Sequence, residues 1–231
     1  MPKNSTPGKI LRVTAIVLMG LTAVFTLLGG IGSSCVALGA EKYESMLPLA
    51  PFKWLYQILV VLTLAAAVFG IRATTGLIKR KVQAYREALI ALAASALLAG
   101  IQMITSQVLR GKSQPNDMRF YISTFTLIYF LLLRLPGVWR RVGFSQSGTS
   151  DIPGTASGLT MFLVGVTILS VHIWAAPTHT FGGTNFADVW HTQLAFAGWA
   201  LALLGVMTLA WKALAVPSQH GNRMASASDS R

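Results

Sequence analysis

Residues 13–32 read VTAIVLMGLTAVFTLLGGIG, a run without a single charged side chain. A helix needs roughly 20 mostly apolar residues to cross the hydrocarbon core of a bilayer, and this run has that length. Inside lipid every backbone N–H and C=O must be satisfied within the segment, so the run is read as helix. Further blocks of the same kind follow at about residues 54–71, 88–109, 120–138, 158–176 and 192–215. The expected fold is therefore all-α, a polytopic transmembrane helical bundle of six spans filling residues 13–216. Short segments of alternating hydrophobicity, the mark of a membrane β-barrel, do not occur. The basic residues 1–12 and the tail 217–231 are expected to be disordered.

Composition points the same way. Hydrophobic residues make up 53% of the 231 positions and charged residues only 11%, against about 25% charged in a soluble domain. The net charge of +12 would suggest nucleic acid in a soluble protein. Here Lys and Arg flank apolar blocks, where they meet anionic headgroups. No basic surface with interleaved aromatics appears, so nucleic acid is excluded as a partner. A single cysteine, Cys35, rules out an intrachain disulfide.

Orientation is read from the loops. Of the 19 Lys and Arg residues, 14 fall on the side of the N-terminus, the second and fourth loops and the C-terminus. The other five are Lys42, Lys53, Arg110, Lys112 and Arg119. Positive residues stay in the cytoplasm, so both termini are expected there, with the chain in the cell membrane. The first block, preceded by Lys3, Lys9 and Arg12, is longer than a signal h-region of about 7–15 residues and is read as a retained helix. Trp54, Tyr56, Tyr121, Trp139, Trp174 and Trp211 stand near block ends, where aromatic side chains anchor at headgroup level. Arg134 lies near the end of the fourth block and is expected to snorkel. The Gly- and Ser-rich loop 143–157 separates the first four blocks from a C-terminal hairpin.

Small residues at spacing four, Ala66 with Gly70, Ala96 with Gly100 and Gly198 with Ala202, allow helix backbones to approach closely. They serve packing within the chain, or contact with a membrane-protein partner or a second copy. Gly29-Gly30-Ile31-Gly32 lacks the Lys-Ser/Thr of a phosphate loop and is read as a packing or turn feature.

Two groups of residues could carry function. Gln102, Thr105 and Ser106 share one helical face in the outer half of the third block. The fourth block begins, also in the outer half, with Tyr121, Ser123, Thr124 and Thr126. Buried amides must be paired or wet, so this face serves interhelical hydrogen bonding or lines an outward-facing polar cavity. The second group is His172, His179 and His191, with Asp188 three residues before His191. The hairpin of the fifth and sixth blocks places His172 and His191 at one depth. They could ligate a haem iron, or join His179 and Asp188 around Cu or Zn. The bland alternative is interfacial histidines bonded to water and backbone.

No catalytic motif is present, and none of the seven acidic residues lies deep in a block. The favoured reading is a non-catalytic membrane subunit or accessory protein with an outward-facing polar region. A haem- or metal-binding redox subunit using the histidines is the alternative. A small-solute permease comes third, because discontinuous helices and a midplane carboxylate are not evident.

Overall fold

The structure, a computed structural model, describes residues 6–113, 116–144, 152–174, 180–181 and 183–214. Helix α1 runs from Thr6 to Gly39, so the stretch from Lys9 to Arg12, expected to be disordered, is helical. The reason is local. Once the apolar run is helical, each further turn adds hydrogen bonds without a new nucleation step. Arg12 also gains partners as helix, because its Nη1 donates to Gly143 O at 3.1 Å.

Two short 3-10 segments, Ala40–Lys42 and Glu44–Phe52, turn the chain into α2, Lys53–Ile78. A tight turn, with Arg80 at φ 55°, leads into α3, Ala84–Arg110. Gly111 ends α3 in the left-handed region at φ 69°, which glycine adopts without a Cβ penalty. Helix α4 spans Asn116–Leu133 and α5 spans Pro136–Val142. Beyond the loop come α6, Ile152–Leu169, and one further turn, α7, Val171–Trp174. A two-residue antiparallel ladder, β1 Thr180–Phe181 with β2 Thr184–Asn185, precedes the turn α8, Phe186–Val189, and the long α9, His191–Leu214. Apart from this ladder the described chain is all helix and connections.

Five helical segments are long and apolar enough to cross a membrane, or six if α4 and α5 count as one bent span. The fourth apolar block, expected as one helix over about 120–138, breaks at Arg134 and turns by 94°. Pro136 is the cause. It lacks an N–H, and it pushes the residue before it out of the helical region; Leu135 accordingly sits at φ −54°, ψ 131°.

Helices α1 to α4 form a ring: α1 packs on α2, α2 on α3, α3 on α4, and α4 back on α1. The α6–α9 hairpin joins this ring through α6 against α1. Thr160 of α6 meets Gly20 of α1 where a Cβ would stand. Within the hairpin the backbones touch. A Cβ added to Gly165 would lie 2.5 Å from Ala202 N, and one on Gly205 would lie 2.5 Å from Phe162 N. The other flank of α9 is open, with Phe196, Trp199, Leu203, Met207 and Trp211 exposed.

Candidate functional site

Two apolar clusters sit at opposite ends of the ring. The first, at the end where Lys79, Arg80, Lys81, Arg140 and Arg141 gather, contains Ile16, Leu77, Tyr85, Leu92, Phe130 and Phe144. The second contains Val36, Ala40, Leu49, Tyr56 and Val60. Between them the buried positions change character. Thr22 and Thr26 of α1, Thr63 of α2, Gln102 of α3, and Arg119, Ser123 and Thr126 of α4 are all buried.

Helical phase builds this layer. The buried stripe of α4 is Asn116, Arg119, Ser123, Thr126, Phe130 and Leu133, at alternating spacings of three and four that hold one face. Its first four members are polar and its last two apolar, so α4 presents its polar half to the layer. Thr22 and Thr126 share a hydrogen bond between their hydroxyls at 2.9 Å. Thr26 donates back to Thr22 O at 2.7 Å, a local bond that lets a hydroxyl sit inside an apolar helix.

Arg119 is the centre of the layer. It is 3% exposed, and its Nη2 donates to Gln102 Oε1. A Cβ on Gly29 would lie 2.9 Å from its Cδ and 3.0 Å from its Nη1, so the guanidinium lies flat against α1 where the side chain is missing. The next position, Gly30, faces Thr63, whose Cγ2 would be 3.2 Å from an added Cβ. Gly29 and Gly30 are thus close-packing positions inside a helix. Arg119 Nε and Nη1, Gln102 Nε2, Ser123 Oγ and Thr63 Oγ1 have no hydrogen-bond partner among the described residues. The described salt bridges join Lys53 to Glu41 and Arg72 to Glu87, both at 2.9 Å. The nearby carboxylate of Asp117 instead accepts from Met118 N at 2.8 Å. Arg119 lies in the first turn of α4, and among the described residues its hydrogen-bond acceptor is the amide oxygen of Gln102, so its desolvation is offset by no opposite charge.

The expected polar face is thus split. Gln102 joins Arg119. Ser106 is buried a turn further on, donating to Lys112 O at 2.8 Å and accepting from Arg110 Nε at 3.1 Å. Thr105 is half-buried. Tyr121 is exposed, on the opposite face of α4 from Arg119 and Ser123. Reading Arg119 as a loop charge missed the residue at the centre; the 116-119-123-126 spacing was the available signal.

The histidine group is also only partly assembled. His172 on α7 and His191 opening α9 have ring centroids 5.9 Å apart in an edge-on arrangement. Both are exposed. Asp188 accepts from Asn185 Nδ2 at 2.9 Å, and His179 lies outside the described residues. Among the described residues no group of three or more His, Cys, Asp or Glu side chains is placed to hold a metal ion.

At the basic end a third arrangement is structural. Tyr85 stacks on Phe130 with ring centroids at 5.5 Å and meets Trp139 edge-on at 4.6 Å and Phe144 at 5.4 Å. Arg134 lies over Trp139 at 5.0 Å and over Tyr85 at 5.6 Å. Its cation rests on aromatic faces beside the bend.

No family model, curated protein or solved structure matches this chain.

Proposed function

We propose that this chain is a non-catalytic membrane protein, a ligand-binding subunit or accessory protein of the cell membrane. Its polar layer lies toward the outside, six helices span the bilayer, and both termini are cytoplasmic. The observation that carries the reading is the buried layer on four helices, polar between two apolar clusters. Its side chains are hydroxyls, an amide and a guanidinium. These groups hold a ligand, and none is a general base at neutral pH. The distribution of Lys and Arg supports a cytoplasmic basic end, with the layer then in the outer half. For the span count, α4 has 18 residues, a rise of about 27 Å against a core of about 30 Å. It covers most of that thickness, and α5, bent by 94° at the headgroups, completes the sixth span.

Topology reporters fused after about residues 50, 115 and 185 should read outside, and those after about 80, 150 and 225 inside. A C-terminal reporter outside the cell would remove the six-span arrangement. In a Cys35→Ser background, cysteine at Gln102 or Ser106 should react with a membrane-impermeant thiol reagent added from outside. Silence at both positions would mean a dry layer that only joins helices.

The His172–His191 contact supports a second reading, a haem or transition-metal site. Rings 5.9 Å apart between centroids are close enough for both to reach one ion at the usual metal–nitrogen distance of about 2.0–2.1 Å. A Soret band lost in His172→Ala or His191→Ala would assign haem. Stoichiometric Cu or Zn without that band would assign an ion. Protein purified gently from its native membrane with neither would end this reading.

A further inference from the structure

We propose that Arg119 holds a small, singly charged anionic group in the polar layer. This rests on the reading of the layer as a ligand site and names the class of ligand.

The argument starts from charge. Arg119 is a permanent cation, buried to 3% exposure, with no carboxylate in salt-bridge distance among the described residues. A buried charge without a counter-charge is strongly disfavoured, so such groups are paired or bind an ion of opposite sign. The second line is the direction of the unpaired groups. Arg119 Nε and Nη1 and Gln102 Nε2 are N–H donors, and Ser123 Oγ and Thr63 Oγ1 carry O–H groups that rotate to donate. Gln102 already turns its one strong acceptor, Oε1, to Arg119. What remains is one positive charge and the unpaired donors of the same layer, which suits an acceptor-only ligand and repels a metal cation.

Position supports the grouping. Ser123 follows Arg119 by one helical turn on the same buried face. Thr63 stands at Gly30 and the guanidinium at Gly29, adjacent positions on α1. The missing Cβ of Gly29 is what lets the guanidinium lie inside the ring and not reach for the surface.

Charge count sets the valence. One guanidinium neutralises one negative charge. A doubly charged phosphate or sulfate would leave a surplus charge in a low-dielectric layer. Three ligands share the remaining chemistry: a halide, a short carboxylate, or the phosphodiester of a lipid headgroup reaching down one turn from the end of α4.

The test uses the full chain in an uncharged detergent, with sodium gluconate replaced stepwise by chloride or by acetate at constant ionic strength. Tm should rise saturably, by roughly 5 °C at a hundredfold excess over Kd. The rise should vanish in Arg119→Met and shift about tenfold to weaker affinity in Ser123→Ala. If Arg119→Met does not fold, Ser123→Ala and Arg119→Lys carry the test, since lysine keeps the charge and loses the planar fork. A response to short-chain phosphatidylglycerol alone, lost in the same variants, assigns the headgroup as the source. The proposal is overturned if wild-type Tm ignores chloride, acetate and phosphatidylglycerol, or if the response survives unchanged in the variants. Cysteine labelling then separates the two levels. Reaction of Gln102→Cys from outside with no anion response in the parent leaves the ligand-site reading standing and removes only the anion. No reaction and no response remove both.

Discussion

A leucine at Gly165 will drive α6 and α9 apart. The first atom of the new side chain would fall 2.5 Å from Ala202 N and 2.6 Å from Gly198 O, and both are backbone. A flexible neighbour could rotate away, but a helix backbone can only move as a whole. Gly205→Leu meets the same obstacle from the other side, at Phe162 N and at Gly158 O, 2.7 Å away. Overpacking typically costs about 1–3 kcal/mol where side chains adjust; here at least about 3 kcal/mol is expected. Helix association in lipid rests on close packing and weak Cα–H···O contacts, with no hydrophobic drive to restore it. A disulfide engineered between the two helices should form readily in the parent and poorly in either variant. Unchanged cross-linking and unchanged Tm would show that the pair does not depend on backbone contact.

The second large effect is expected at Tyr85. Its hydroxyl donates to Phe130 O, and the reason that carbonyl is free lies in the bend. Arg134 N bonds to Leu131 O at 3.0 Å and Leu135 N to Leu132 O at 3.1 Å, so the last turn of α4 tightens and leaves Phe130 O without its usual i+4 donor. Tyr85→Phe keeps the ring stack and removes the hydroxyl, at a cost of about 1–3 kcal/mol for an orphaned buried carbonyl. Tyr85→Ala also removes the ring that Phe130, Trp139 and Phe144 share, at about 3–5 kcal/mol. Thermal melts should rank parent, Tyr85→Phe and Tyr85→Ala in that order, and limited proteolysis should cut near residue 135 in the last. Equal melts for all three would mean that Pro136 alone fixes the bend.

The apolar helices were legible in the sequence because lipid imposes one simple demand, length without charge. Residues 13–32 meet it whatever their neighbours do. The break at Pro136 was written in the chain too, as a proline behind Arg134. Reading the apolar block as continuous hid it, because hydropathy sums over a window and is blind to one missing N–H. Arg119 was obscured for a related reason. Close behind Asn116 and Asp117, in the first turn of the helix, it resembles a loop charge. Only its phase with Ser123 and Thr126 turns it inward. Thr22, Thr26 and Thr63 gave even less signal, since a lone hydroxyl in an apolar helix can bond its own backbone. The contact of His172 with His191 follows from the antiparallel course of α6 and α9 around a short connection, so spacing and topology together pointed to it.

The separate packing of ring and hairpin also sets an order of events during synthesis. By the time residue 144 has left the ribosome, every helix of the ring exists, and α1 can already close on α4. The hairpin comes last, and its two strands of helix find each other first through glycines that face no other partner. Its docking to the ring then runs along α6, with Ala156 entering the apolar cluster at the basic end, Thr160 at Gly20, and Val171 beyond it against Leu28. Assembly can proceed as two local closures followed by one joining, with no early helix held open to wait for the final one.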